Sequence, residues 1–272
     1  MTAMSTGAPR EPVPDATALT GHDRATVLTS VVLLLLAVAA WARVLLVPMG
    51  ADDMAGMGMV MAPTVAEGVA YVVAWTIMMA AMMLPSALPM IGLYAATQRN
   101  ASRGARVVAV ALFTSTYLGL WALTGVPIYL GSVALGALTQ KALAYGVAGA
   151  LVVAGLFQVS PLKQRCLRHC RSPLGFLFGH WRPGWRGGLE MGWAHALYCL
   201  GCCWALMVVL VVAGAMGLPW VLLVAAVVAA EKLVPWGERV AYVIGAILIL
   251  MGIAVAVRPD LATALRGSGS SM

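Results

Sequence analysis

His195, Cys199, Cys202 and Cys203 stand together in residues 188–217, an apolar run whose one charged residue is Glu190. At about 100° per residue on a helix, Met191, His195, Cys199 and Cys202 fall within about 80° of one another, and Cys203 lies about 40° past Cys199. One face therefore offers thioether, imidazole and thiolate donors over about three turns. Such donors suit soft metal, Cu(I) first, then Zn(II) and iron-sulfur clusters. Taken singly, Cys and Met are adaptable apolar filler. A His at membrane depth is costly and marks a functional position.

A second stripe lies in residues 65–97. On a helix Met79, Met83, Ser86 and Met90 follow i, i+4, i+7, i+11, with Met82 beside them. A thioether needs no deprotonation, so it offers a metal ligand inside a bilayer without burying charge. A third group is Cys166, His169 and Cys170, among Lys163, Arg165, Arg168 and Arg171. These cations should favour the thiolates. Two thiols and one imidazole fall short of the four ligands of a closed zinc site, so this loop reads equally as ordinary cysteines or as a metal exit.

The elements that must position these residues are membrane helices. Of 272 residues 62% are apolar and 10% charged, whereas a soluble domain carries about 25% charged residues. Several apolar runs reach the ~20 residues a helix needs to cross the hydrocarbon, without the alternation of barrel strands. The fold class is all-α, a polytopic helical bundle of about seven spans. They run over 26–47, 65–97, 107–122, 141–160, 188–217, 220–233 and 240–257, with 123–140 read as a loop or re-entrant segment. Pro85 and Pro89 give the second span a cause to kink. Residues 1–26 read as a disordered cytoplasmic tail, 27–258 as the transmembrane domain and 259–272 as a disordered tail.

The formal charge is +7, but the basic residues gather in loops 98–106 and 161–187. That is a topology signal and not a nucleic-acid surface. Loop 48–64 has five Met (Met49, Met54, Met57, Met59, Met61), Asp52 and Asp53, and no basic residue. Positive-inside then places the amino terminus in the cytoplasm, the carboxyl terminus and the Met-rich loop outside, and the Cys166/Cys170 loop in the cytosol of a bacterium. Five cysteines clustered in one span and one loop do not make an extracellular disulfide framework.

Three blocks, Trp75 with Met78 and Ala80 to Ser86, Pro161 to Cys170, and Gly192 to Met207, followed by Glu231 and Lys232, resemble a known family. It comprises bacterial and archaeal proteins described as predicted metal-binding integral membrane proteins, domain-of-unknown-function family 2182. The resemblance covers the second to sixth spans. It implies metal binding in the membrane and names no reaction.

The leading expectation is a Cu(I)-binding membrane protein, not an enzyme, that moves copper or hands it on, with zinc as the alternative ion. The Met loop captures the ion. Met79, Met82, Met83, Met90, His195, Cys199, Cys202 and Cys203 hold it, and Cys166 and Cys170 exchange it on the cytosolic side. The partners are the bilayer, the ion, and a copper chaperone or other membrane protein. No GxxxxGK[ST] loop is present, so ATP does not drive the movement through such a loop. Two alternatives stay open: a thiol-disulfide carrier using the Cys199/Cys202 pair, and an assembly factor for a membrane complex in which the soft residues only pack.

Overall fold

The computed structural model describes residues 24–46, 64–98, 100–136, 138–182, 184–212 and 218–265. They form α1 (Arg24–Leu46), α2 (Val65–Thr97), α3 (Arg103–Gly136), α4 (Gln140–Gln158), α5 (Pro161–Arg171), α6 (Pro173–His180), α7 (Gly184–Val212), α8 (Leu218–Leu233), α9 (Gly237–Val257) and α10 (Asp260–Leu265). Among the described residues there is no strand, and the all-α bundle expected from composition is what the chain forms. The Met-rich loop expected to capture metal lies outside the described residues, apart from Thr64.

Six helices, α1, α2, α3, α4, α7 and α9, are long and apolar enough to cross a membrane. Large apolar side chains project outward around the bundle, including Leu35, Leu46, Leu223, Leu250 and Val257, each exposed here and suited to lipid. The sixth expected span, α8, has 16 residues, about 24 Å at 1.5 Å per residue and short of the hydrocarbon thickness. It nevertheless retraces the bundle. Its last turn meets α5 and the end of α4, where Lys163 Nζ lies 2.7 Å from Glu231 and Gln158 donates to Glu231 at 2.6 Å.

Residues 123–136 are not a loop. They continue α3, which has 34 residues with Pro127 inside it. Gly125, within the segment expected to be a loop, is instead a point of close approach. A Cβ there would lie 2.9 Å from Trp75 Cδ1. The Trp75 indole donates to the Trp121 carbonyl at 3.1 Å and the Thr124 hydroxyl at 3.2 Å, which ties α2 to this part of α3. A glycine needed for tertiary contact looks in sequence like one needed for a turn.

The 161–187 loop is also structured. Ser160 accepts from the Lys163 amide at 3.2 Å and Pro161 opens α5, so the chain breaks and restarts instead of extending α4. Helix α10 occupies the start of the tail expected to be without structure. Helix α2 begins with a capping box: Thr64 accepts from the Glu67 amide while the Glu67 carboxylate accepts from the Thr64 amide at 3.0 Å. It runs on through Pro85 and Pro89.

Small residues bring the core helices together. Without a hydrophobic driving force between lipid-solvated helices, close backbone approach is what holds them. Gly188 and Gly192 of α7 face the Ala109 and Phe113 carbonyls of α3, and Gly155 of α4 faces the Gly245 carbonyl of α9. The first of these contacts sets the register of α7 against α3.

Candidate metal centre

With α3 and α7 locked at Gly192, Tyr117 of α3 comes level with Cys199 of α7. The Tyr117 hydroxyl and the Cys199 sulfur are 3.0 Å apart. Helix α8 returns to the same level and inserts Lys232, only 7% exposed, whose ammonium contacts three groups. It donates to Cys199 Sγ at 3.1 Å, to the Ser86 hydroxyl at 3.2 Å and to Met83 Sδ at 3.7 Å. Helices α2 and α7, whose contact periodicity alone leaves open, thus meet around one nitrogen.

The remaining thiols gather beside this point. Cys202 Sγ is 3.3 Å from Cys203 Sγ and 3.8 Å from Cys170 Sγ of α5, and it donates to the Cys199 carbonyl at 3.1 Å. Cys199, Cys202 and Cys203 are each about 1% exposed. Cys166 packs differently: its sulfur sits against Gly201, where a Cβ would lie 2.8 Å away. The Cys166/Cys170 segment therefore lies on the thiol-bearing turn of α7 and is not a separate loop site.

The cations of α5 do not act as expected. Arg165 and Arg168 point outward, and Arg168 pairs with Glu238 at 3.0 Å. Arg171 donates to the Val234 and Pro235 carbonyls. Burial consequently pushes the Cys166 thiol up, with Lys163 alone pulling against it. The Cys170 thiol is pushed up as well, first by its contact with Cys199. Amphipathic placement on α5 has turned its arginines away from the sulfurs, so the expected stabilisation of these thiolates is outweighed.

His195, one turn before Cys199, is buried among aromatic rings. Its ring centroid lies 5.6 Å from Tyr117, 6.0 Å from Phe113 and 5.5 Å from Phe176, and its Nδ1 has no hydrogen-bond partner. Tyr117 therefore touches both the imidazole and the Cys199 sulfur. Met79, Met82 and Met90 are buried in the same core. Among the described residues, Met83 is the methionine that shares a polar contact with the thiols, through Lys232.

Three participants went unrecognised from sequence: Tyr117, Lys232, and the pairing of Lys163 with Glu231. The signal for the latter two was present, since ionisable residues in an apolar helix are functional suspects. Glu231 and Lys232 lie at the end of α8, where charged residues ordinarily snorkel to the interface. Only the packing of α8 against α5 and α7 shows that both are buried.

The donor chemistry can be tested against a metal. A closed zinc site wants four N or S ligands. No group of three or more His, Cys, Asp or Glu side chains among the described residues is disposed to hold a metal ion. Thiol and thioether sulfurs are soft donors, of the kind that suit soft metal ions.

A family model, PpoB2, described as a copper chaperone, matches residues 72–255. No curated protein and no solved structure matches the chain. The match carries this name and not the family-2182 name expected from the motifs, although both are metal-related. It spans α2 to α9 and contains every contact of the thiol cluster. The chain belongs to the PpoB2 family of copper chaperones.

Proposed function

We propose that this protein takes up copper as Cu(I) between Cys199, Cys202 and the Met83 thioether, within a bacterial inner membrane, and passes it to a partner protein. The observation that carries this reading is the meeting of the Met83 and Cys199 sulfurs at one Lys232 nitrogen. A neutral thioether from α2 and a thiol from α7 are there brought to the same ammonium, beside the Cys202 and Cys203 sulfurs. Cys203 and Cys170, which touch Cys202, are the next sulfurs along a hand-off route, with Cys166 beyond them towards the surface. Met79, Met82 and Met90 line the α2 side. His195 orients Tyr117 and so the Cys199 sulfur.

Arg103, Arg106, Arg165, Arg168, Arg171, Arg182 and Arg186 lie at the end of the bundle where α3 and α7 begin and α5 packs. By the positive-inside bias this end faces the cytosol and the amino terminus is cytoplasmic. The route from Cys202 through Cys170 then opens to the cytosolic side, where the receiving or supplying partner docks.

The test is copper content of the detergent-purified chain supplied with Cu(I) anaerobically. Wild type retains copper, and the Cys199→Ser, Cys202→Ser variant retains less than about a tenth as much, since soft thiolates supply most of the affinity. A folded wild type without copper would sink the reading. Met83→Leu, close in volume, lowers Cu(I) affinity by about tenfold while costing less than about 1.5 kcal/mol of stability. Unchanged affinity in a chelator competition would remove α2 from the centre.

A thiol-disulfide carrier would use the Cys199/Cys202 pair, or Cys170 with Cys202, which face each other from different helices at 3.8 Å. The copper reading is preferred because thiol exchange gives the Met83 contact no task.

A further inference from the structure

The buried ions near the thiols are not balanced by carboxylates. Glu231 has both oxygens engaged, one by Lys163 at 2.7 Å and the other by Gln158 at 2.6 Å, so the Lys163/Glu231 pair is neutral as a unit. Lys232 is the next residue, yet its ammonium points away from that pair into two sulfurs and a hydroxyl. Among the described buried side chains, Lys163, Glu231 and Lys232 together carry one net positive charge. An ammonium in an apolar interior is costly unless an anion compensates it. The group placed to do so is sulfur.

We propose that Lys232 sets the charge of the metal centre and thereby makes it selective for a monovalent over a divalent ion. The proposal rests on the Cu(I) reading above. A monovalent ion held by the two thiolates of Cys199 and Cys202 forms a unit of charge −1. The Lys232 ammonium neutralises that unit while donating to the Cys199 sulfur it already contacts. A divalent ion on the same two sulfurs forms a neutral unit. The ammonium is then left uncompensated beside a cation, in a setting where charges are weakly screened. Ligand softness alone does not make this distinction, since Cd(II) is as thiophilic as many monovalent soft ions. The ammonium fixed at 3.1 Å from Cys199 does.

Lys232 is thus a positioning and specificity residue and not a ligand. Its removal has a signature that general loosening of the bundle lacks: the two ions respond in opposite directions. The experiment uses the full chain in detergent under anaerobic conditions. Cu(I) and Cd(II) affinities are measured by competition with chromophoric chelators for wild type, Lys232→Met and Lys232→Arg. In Lys232→Met, Cu(I) binding weakens and Cd(II) binding strengthens, and the Cu(I)/Cd(II) affinity ratio falls by about tenfold or more. Lys232→Arg keeps the charge and keeps the ratio within about threefold of wild type.

Equal weakening of both ions in Lys232→Met, or an unchanged ratio, overturns the proposal while leaving the copper reading in place. A wild type that binds no Cu(I) overturns the underlying reading instead, so the two failures are separable. Should Lys232→Met fail to fold, Lys232→Gln, which keeps a donor to Ser86 without the charge, carries the same expectation.

Discussion

Glu231→Ala lowers the unfolding free energy of the detergent-solubilised protein by about 3 to 5 kcal/mol, among the largest effects expected of any single substitution. The side chain is 1% exposed and Lys163 is fully buried. Removing the carboxylate leaves the Lys163 ammonium without its anion and the Gln158 amide without its acceptor. Both penalties fall on the same side of the balance. Lys163 also donates to the Cys202 carbonyl, so its displacement reaches the thiol-bearing turn of α7. The control is Lys163→Met with Glu231→Leu. Replacing both partners with apolar groups of similar size is often neutral or stabilising, so the double variant recovers most of the loss. Unfolding in mixed micelles at increasing denaturing detergent measures both. A Glu231→Ala protein within about 0.5 kcal/mol of wild type would show that the pair contributes no more than a surface ion pair.

Gly192→Leu is expected to cost about 3 kcal/mol, the upper end of the range for overpacking a filled interior. A Cβ at this position would lie 2.6 Å from the Phe113 carbonyl oxygen and 3.0 Å from Phe113 Cα. These are backbone atoms, so relief requires α3 and α7 to separate. Phe113 stacks on Tyr94 at 5.2 Å between ring centroids and packs against His195, and Tyr117 lies one turn further along α3. Separation therefore also breaks the 3.0 Å contact between Tyr117 and Cys199. Copper retention should fall with stability, although residue 192 carries no ligand atom. Gly119→Leu, on the same helix as Tyr117 but with nothing within 4 Å of its Cβ position, is the matched control. It should leave stability within about 0.5 kcal/mol and copper retention unchanged. Equal behaviour of the two variants would mean that helix approach at Gly192 does not set the centre.

The two substitutions act through different physics on the same point. Glu231 holds α8 and α5 in place by charge, and Gly192 holds α3 and α7 in place by the absence of a side chain. Cys199 lies where these constraints cross, with Tyr117 from α3, Met83 and Ser86 from α2 and Lys232 from α8 around it. Four helices thus meet at this point, and the Lys232 ammonium links the Cys199 and Met83 sulfurs across them.

Composition and periodicity were enough to locate all six helices long and apolar enough to cross a membrane, although they also counted α8 as a span, and to place His195, Cys199 and Cys202 along one stripe of α7. These properties are local: hydropathy sums over neighbours in the chain, and a face repeats every 3.6 residues whatever lies opposite. The Met stripe of α2 was legible for the same reason. Helix α3 was cut short at Gly125 and Pro127 because a glycine required by Trp75 and a glycine required by a turn are written with the same letter. Which of the soft residues meet was decided only by tertiary structure. Cys170 reaches Cys202 across 32 positions and Lys232 reaches Met83 across 149, distances over which no periodicity carries information. Lys232, at the end of α8, is the clearest case. Its sequence position is that of an interfacial lysine, and it is the packing of α8 against α5 and α7 that turns it inward onto sulfur.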